Sequence, residues 1–164
     1  MPDHRYFFSV CAFINNIFVL GGRNPEYQSI NTCFKFDVKR SKWTEVCGML
    51  KSRMSFSSVV FEERIVVSGG RNSNIDSPIS LVEAYDHTAD SWSKMPGMVE
   101  SRFFHRSVAM RNKIFVIGGF PSARCEVYDS SCNKFALLKS SKMFSRVNIV
   151  LIGNSITVFD DKVA

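Results

Sequence analysis

The chain has 164 residues, 45% hydrophobic, 22% charged and 13% aromatic, with a net charge of +6. That length suffices for one domain with a sizeable core, and no apolar stretch approaches the roughly 20 residues of a membrane helix. The five cysteines form no Cys-x-x-Cys pair, and residues 1–10 lack the apolar segment of a signal peptide, so the thiols are expected to be reduced in a cytoplasmic, cytoskeletal or nuclear setting.

Glycine pairs at Gly21-Gly22, Gly69-Gly70 and Gly118-Gly119 stand 48 and 49 residues apart. Helix and strand geometry has no such period, so one folding unit has been copied. The first copy, about residues 5–52, opens on Arg5, runs apolar from Phe8 to Phe13, turns at Asn15-Asn16 and ends a second apolar run, Ile17 to Leu20, in its glycines. A polar loop, Arg23–Thr32, leads to a third strand, Cys33 to Phe36, closed by Asp37, and a fourth begins near Trp43. The second copy, about 53–101, repeats this order: Arg53, a strand Phe56 to Phe61, a turn at Glu62-Glu63-Arg64, the run Ile65 to Ser68, the loop Arg71–Leu81, the strand Val82 to Tyr85 with Asp86, then Trp92. In the third, about 102–145, the landmarks are Arg102, Arg106 to Met110, a turn at Arg111-Asn112-Lys113, Ile114 to Ile117, Cys125 to Tyr128 with Asp129, then Phe135. A fourth, 146–164, starts at Arg146 and runs Ile156 to Phe159 into Asp160-Asp161 where glycines stood before.

Charged or Asn-rich tips between apolar runs are hairpin signals, and near-continuous apolarity before the glycines means burial on both faces. Each sheet is too small to bury its own faces, so the copies are expected to stack. The predicted fold is all-β: a partial β-propeller of about three four-stranded antiparallel blades plus the start of a fourth. A β-sandwich with coincidental glycines is the alternative.

These landmarks resemble the kelch repeat, carried by Ile17-Phe18-Val19-Leu20-Gly21-Gly22-Arg23-Asn24, by Val82-Glu83-Ala84-Tyr85-Asp86 with Trp92, and by Cys125-Glu126-Val127-Tyr128-Asp129. The spacing is most similar to the propeller of BTB–kelch (kelch-like) proteins. That resemblance implies non-covalent protein binding, most specifically substrate recognition for a cullin-type E3 ubiquitin ligase, engaged through a BTB domain that this chain does not contain. It also implies the alternative of an actin-binding or scaffolding propeller, and more remotely a propeller enzyme. Kelch rings hold about six blades, so three and a third repeats suggest a fragment, a truncated product, or an arc that self-associates through open blade edges.

In kelch-like propellers the substrate-facing rim is lined by residues just after the glycine pair and just after the repeated arginine. Carried onto this chain, the first set is Arg23, Asn24, Arg71, Asn72 and Phe120. The second is Tyr6, Phe7, Met54, Ser55, Phe103 and Phe104. Arginine and aromatics dominate interface hot spots, and Arg23 and Arg71 have the fork for a carboxylate or phosphate.

Other chemistry finds little footing. The basic residues are scattered without a run of four, so no nucleic-acid partner is expected. His4, His87 and His105 lack a second ligand at metal spacing, and no cofactor or catalytic set is expected. Asp37, Asp86 and Asp129 begin turns in which an Asp carboxylate bonds the backbone two residues on. Cys33 and Cys125, three residues before Phe36 and Tyr128, are expected as small core residues. Arg5, Arg53 and Arg102 are expected to pair with repeated acids such as Glu83 or Glu126.

Overall fold

The computed structural model describes residues 1–139, 147–152 and 155–160; Arg146 lies outside them. All regular structure among the described residues is β. The first sheet is β1 (Ser9–Phe13), β2 (Asn16–Arg23), β3 (Ser29–Asp37) and β4 (Lys42–Val46), antiparallel and in chain order. The second holds β5 (Ser57–Phe61), β6 (Arg64–Ser68), β9 (Val82–Asp86) and β10 (Ser91–Met95), with a small hairpin, β7 (Arg71–Asn72) and β8 (Ser77–Pro78), between β6 and β9. The third is β11 (Arg106–Met110), β12 (Lys113–Ile117), β13 (Glu126–Asp129) and β14 (Lys134–Leu137), and the pair β15 (Val147–Ile152) and β16 (Ser155–Asp160) starts a fourth. The first strands β1, β5, β11 and β15 are successive neighbours, so the sheets lie side by side as blades.

Local chemistry sets the strand ends. The β1–β2 and β5–β6 turns have both central residues at positive φ, Ile14-Asn15 and Glu62-Glu63, which matches the right-handed twist of the flanking strands. The first of these turns falls one residue before the expected Asn15-Asn16. Asp37 accepts the Lys39 N–H at 3.0 Å, Asp86 the Thr88 N–H at 2.8 Å and Asp129 the Ser131 N–H at 3.0 Å, as the Asp turns require. The Thr88 hydroxyl, followed by the Thr88 and Ala89 N–H groups, holds Asp86 below the usual carboxylate range. At Asp129 the Lys113 ammonium and Ser131 bring it to about 2.

The cores lie between sheets. Phe18, Leu20 and Cys33 of the first sheet meet Ile65, Val67, Tyr85 and Trp92 of the second, with Met49 and Phe56 from the connection. Phe61, Val66, Val82 and Ala84 on the other side of the second sheet meet Ile114, Val116, Tyr128 and Phe135 of the third. The repeated aromatic pairs Phe36–Trp43, Tyr85–Trp92 and Tyr128–Phe135 stand 5.0–5.2 Å apart, a geometry worth about 0.5–1.5 kcal/mol beyond area burial. Trp92 Nε1 also donates to the Cys47 carbonyl at 2.8 Å, tying the second sheet to the strand end before it. Cys33 and Cys125 are buried and unbridged, and burial pushes the Cys33 thiol up to about 12.

The repeated arginines are buried organisers of the connections. Arg53 pairs with Glu83, and Arg102 with Glu126. Their forks also donate to Gly69 and Leu81, and to Gly118 and Arg124 carbonyls. Each glutamate takes a backbone N–H of the incoming connection, Leu50 at 2.7 Å or Val99 at 2.6 Å. Arg5 departs from this pattern. Its carboxylate comes from Asp3 at 2.5 Å, and its guanidinium lies 4.9 Å over the Phe34 ring. Phe34 occupies the position of Glu83 and Glu126, and Pro2, which has no N–H, stands where Leu50 and Val99 donate. The acid and the amide it would accept are absent together.

Three further expectations are corrected. The loop after the first glycine pair is short, because β3 extends back to Ser29 and pairs Ser29 with Arg23. The loop after the second pair is not irregular throughout, since Arg71 and Asn72 pair with Pro78 and Ser77. His87, which as part of the turn after Tyr85-Asp86 is expected at a solvated tip, instead packs its ring edge-on against Phe13 at 5.1 Å.

Candidate functional site

Each sheet ends in the same corner. Backbone pairs join Tyr6 to Arg23, Met54 to Arg71 and Phe103 to Phe120. The second glycine of each pair makes this approach possible. A Cβ on Gly22, Gly70 or Gly119 would meet the Tyr6, Met54 or Phe103 carbonyl oxygen at 2.7, 2.9 or 2.8 Å, too close for any side chain. Thus the glycines that mark the repeat also bring the two sets of rim residues together.

The next residue of each corner, Phe7, Ser55 and Phe104, has φ of 54, 56 and 58°, a left-handed conformation costly for a bulky side chain. What holds them is a ladder between blades. Ser55 N–H donates to the Phe7 carbonyl at 2.9 Å, and Phe104 N–H to the Ser55 carbonyl at 2.8 Å. Backbone strain repeated at one position marks a constrained surface. Here its result is to set Phe7 and Phe104 on the rim, 6.2 Å apart edge-to-face.

A continuous aromatic and arginine surface follows. Phe104 contacts Phe103 at 4.9 Å, Phe103 contacts Phe120 at 5.5 Å, and the Arg71 guanidinium lies 5.9 Å from the Phe103 ring. At the other end Arg23 lies over the rings of Tyr6, Phe7 and Tyr27 at 5.7, 5.4 and 4.5 Å. Tyr6, Phe7, Tyr27 and Phe120 are at least half exposed, an unusual concentration of apolar rings in contact with water.

The structure brings ten of the eleven expected rim residues to these corners. Met54 and Ser55 are half-buried, and Asn24 closes the turn after Arg23. Asn72 is the exception, and its placement corrects the expectation. It is 1% exposed and donates to the Ser52 carbonyl and hydroxyl at 2.8 and 2.9 Å, while its own oxygen accepts from Asn74 N–H. Its amide is fully engaged in holding the β7–β8 hairpin.

Sequence reasoning missed Tyr27 and Asp76. Tyr27 is the lone aromatic in a polar loop, and an Asn-Pro turn four residues long was the available signal. Asp76 binds the Arg71 guanidinium across the small hairpin, a partner visible only once the hairpin is known. Among the described residues no three or more His, Cys, Asp or Glu side chains are grouped to hold a metal. His105 is wholly buried and shares a hydrogen bond of 3.0 Å with Ser68 Oγ. Burial, with Arg102 and Arg106 nearby, lowers its pKa to about 3.

Comparison with known proteins agrees with this architecture. The Kelch motif profile matches residues 4–49 and 52–99, more than half of the chain, and the chain belongs to the kelch-repeat family. It is 31% identical over 86 residues to Kelch-like protein 41b of Danio rerio, covering 52% of this chain and 14% of that protein. Kelch-like protein 30 of Homo sapiens is 33% identical over 93 residues, covering 54% and 15%. Alpha-scruin of Limulus polyphemus is 31% identical over 96 residues, covering 55% and 10%. The chain therefore spans about one seventh or less of these relatives. The solved structure of YjhT superposes with a TM-score of 0.77 at 15% identity, over 94% of this chain and 56% of that one, and this likeness shows the fold.

Proposed function

We propose that this chain is a protein-binding section of a kelch propeller and that its aromatic and arginine rim is the contact surface. The single observation that carries the reading is the mostly exposed run of rings from Tyr27 to Phe120, bridged at one end by Arg23 and at the other by the half-buried Phe103, and held out by a backbone ladder through three left-handed residues. Rigid aromatic and arginine side chains give large contact area at small entropic cost. The full assignment is substrate recognition for a cullin-type ubiquitin ligase, supported by the kelch-like relatives and acting in the cytoplasm, where free thiols persist. The alternative is actin binding or scaffolding through the same rim, which the net charge of +6 favours on an acidic filament.

Photo-crosslinking tests the surface. A photoreactive phenylalanine analogue replaces Phe104 in one preparation and Lys39, on the exposed β3–β4 turn, in another. Specific protein adducts are expected from position 104 and not from 39. Equal yields from both would remove the rim from consideration. Cosedimentation with filamentous actin, and accumulation of the captured protein when cullin activity is blocked, separate the two assignments.

A further inference from the structure

We propose that Arg23 reads a carboxylate on the bound protein, within a segment whose neighbouring side chains are apolar. The inference rests on the rim being a protein-binding surface and specifies what that surface takes. Arg23 and Arg71 follow the glycine pair in successive repeats, yet only one is available. The Arg71 guanidinium is already held by Asp76 across the β7–β8 hairpin. The Arg23 guanidinium meets no carboxylate and no hydrogen-bond acceptor among the described residues, where its Nε is buried without a partner.

The reason is local. Where the second repeat forms a hairpin ending near an aspartate, the first forms a tight turn around Asn24. Tyr27 N–H donates to the Asn24 carbonyl at 3.1 Å, and Gln28 N–H to its side-chain oxygen at 2.8 Å. That turn offers Arg23 a phenol ring at 4.5 Å in place of an anion. Tyr6 and Phe7 complete the surround. Ring faces stabilise the cation and support its plane, while the N–H fork stays uncommitted. A planar fork suits the two oxygens of a carboxylate.

A phosphate fits less well. Phosphopeptide sites gather several cations, and here the second arginine is neutralised by its own aspartate. The surface beyond Arg23 is Phe7, Phe104 and Phe120, so the residues beside the acid must be apolar to cover it.

The test selects dodecapeptides from a phage-displayed library on the full chain and measures the best binder as a synthetic peptide. Enriched sequences are expected to place Asp or Glu beside aliphatic or aromatic residues. Arg23→Ala should weaken that peptide about tenfold or more, as should Arg23→Lys, which keeps the charge and loses the fork, while Arg71→Ala should cost less than either and Lys39→Ala, on the β3–β4 turn away from the rim, should change it less than about twofold. Changing the peptide's acid to its amide should cost as much on the wild-type chain and almost nothing further on Arg23→Ala, the signature of a direct pair. An amide change that costs the same on both chains overturns the proposal, and this comparison holds with Arg23→Lys should the alanine variant misfold. Binders without acids that are still lost on Phe104→Ala overturn it while leaving the protein-binding reading intact. A phosphoserine preferred over the acid by about tenfold overturns the carboxylate. Peptides indifferent to every rim variant overturn both readings.

Discussion

The two junctions between successive blades share one frame, and at one pair of positions an apolar contact in the first is a polar one in the second. Between the first and second blades, Phe56 packs in the core with Leu20. Between the second and third, the same positions hold His105 and Ser68, joined by a hydrogen bond of 3.0 Å and continued to Ser107 Oγ at 3.0 Å. An apolar pair and a hydrogen-bonded polar pair therefore fill equivalent sites, and the polar one works because both members changed. It is incompletely satisfied, since His105 Nδ1 is buried with no partner among the described residues. A repeat thus conserves the job of a position, while the chemistry doing it can be exchanged in pairs. The Pro2–Phe34 substitution in the first repeat follows the same rule.

The largest effect is expected where both junctions agree. Arg53→Met leaves Glu83 charged, buried and without its guanidinium, and should cost about 3–5 kcal/mol in urea unfolding. Arg5→Met should cost less, because its acid, Asp3, is 40% exposed and can return to water. Equal losses would mean that the departure at Phe34 is not a compensation.

Next comes the exchange of one partner alone. Phe56→His sets an imidazole beside Leu20, which offers nothing to bond, and should cost about 2–4 kcal/mol. The reverse change, His105→Phe, removes an unsatisfied nitrogen but also takes the imidazole from buried Ser68 Oγ, and should cost about 1 kcal/mol at neutral pH; a gain would show that the chemistry of this position is not exchanged in pairs.

The same substitution separates the junctions by pH. With His105 lowered to about 3 by burial and by Arg102, Arg106 and Arg53, the unfolded chain binds a proton below about 6.5 that the folded chain refuses. Stability should therefore fall as pH drops from about 6.5 towards 3, with a slope from this group approaching 1.4 kcal/mol per pH unit. His105→Phe should flatten that slope. An unchanged slope would assign it to other groups.

Much of this was legible before any coordinates. The glycine pairs, the Asp turns and the aromatic seven residues on are local or periodic signals, and the blades follow from them. The Arg53–Glu83 and Arg102–Glu126 pairs were foreseeable because both partners recur. What escaped the sequence is unrepeated and joined only in space: Asp3 beneath Arg5, Asp76 on Arg71, Tyr27 over Arg23, Ser68 with His105. Asn72 misled for the opposite reason. It occupies a rim position by register, and the hairpin turned its amide inward.

The central claim is that a recurring arginine builds the fold while a diverging one is kept for recognition, and paired urea melts of Arg53→Met and Arg23→Ala test it most directly. The prediction is a drop of about 3–5 kcal/mol for the first and less than about 1 kcal/mol for the second, the worth of an exposed ring contact. A comparable collapse of Arg23→Ala would contradict the account, because Arg23 would then be one more structural arginine and the rim would lose its anion-reading residue.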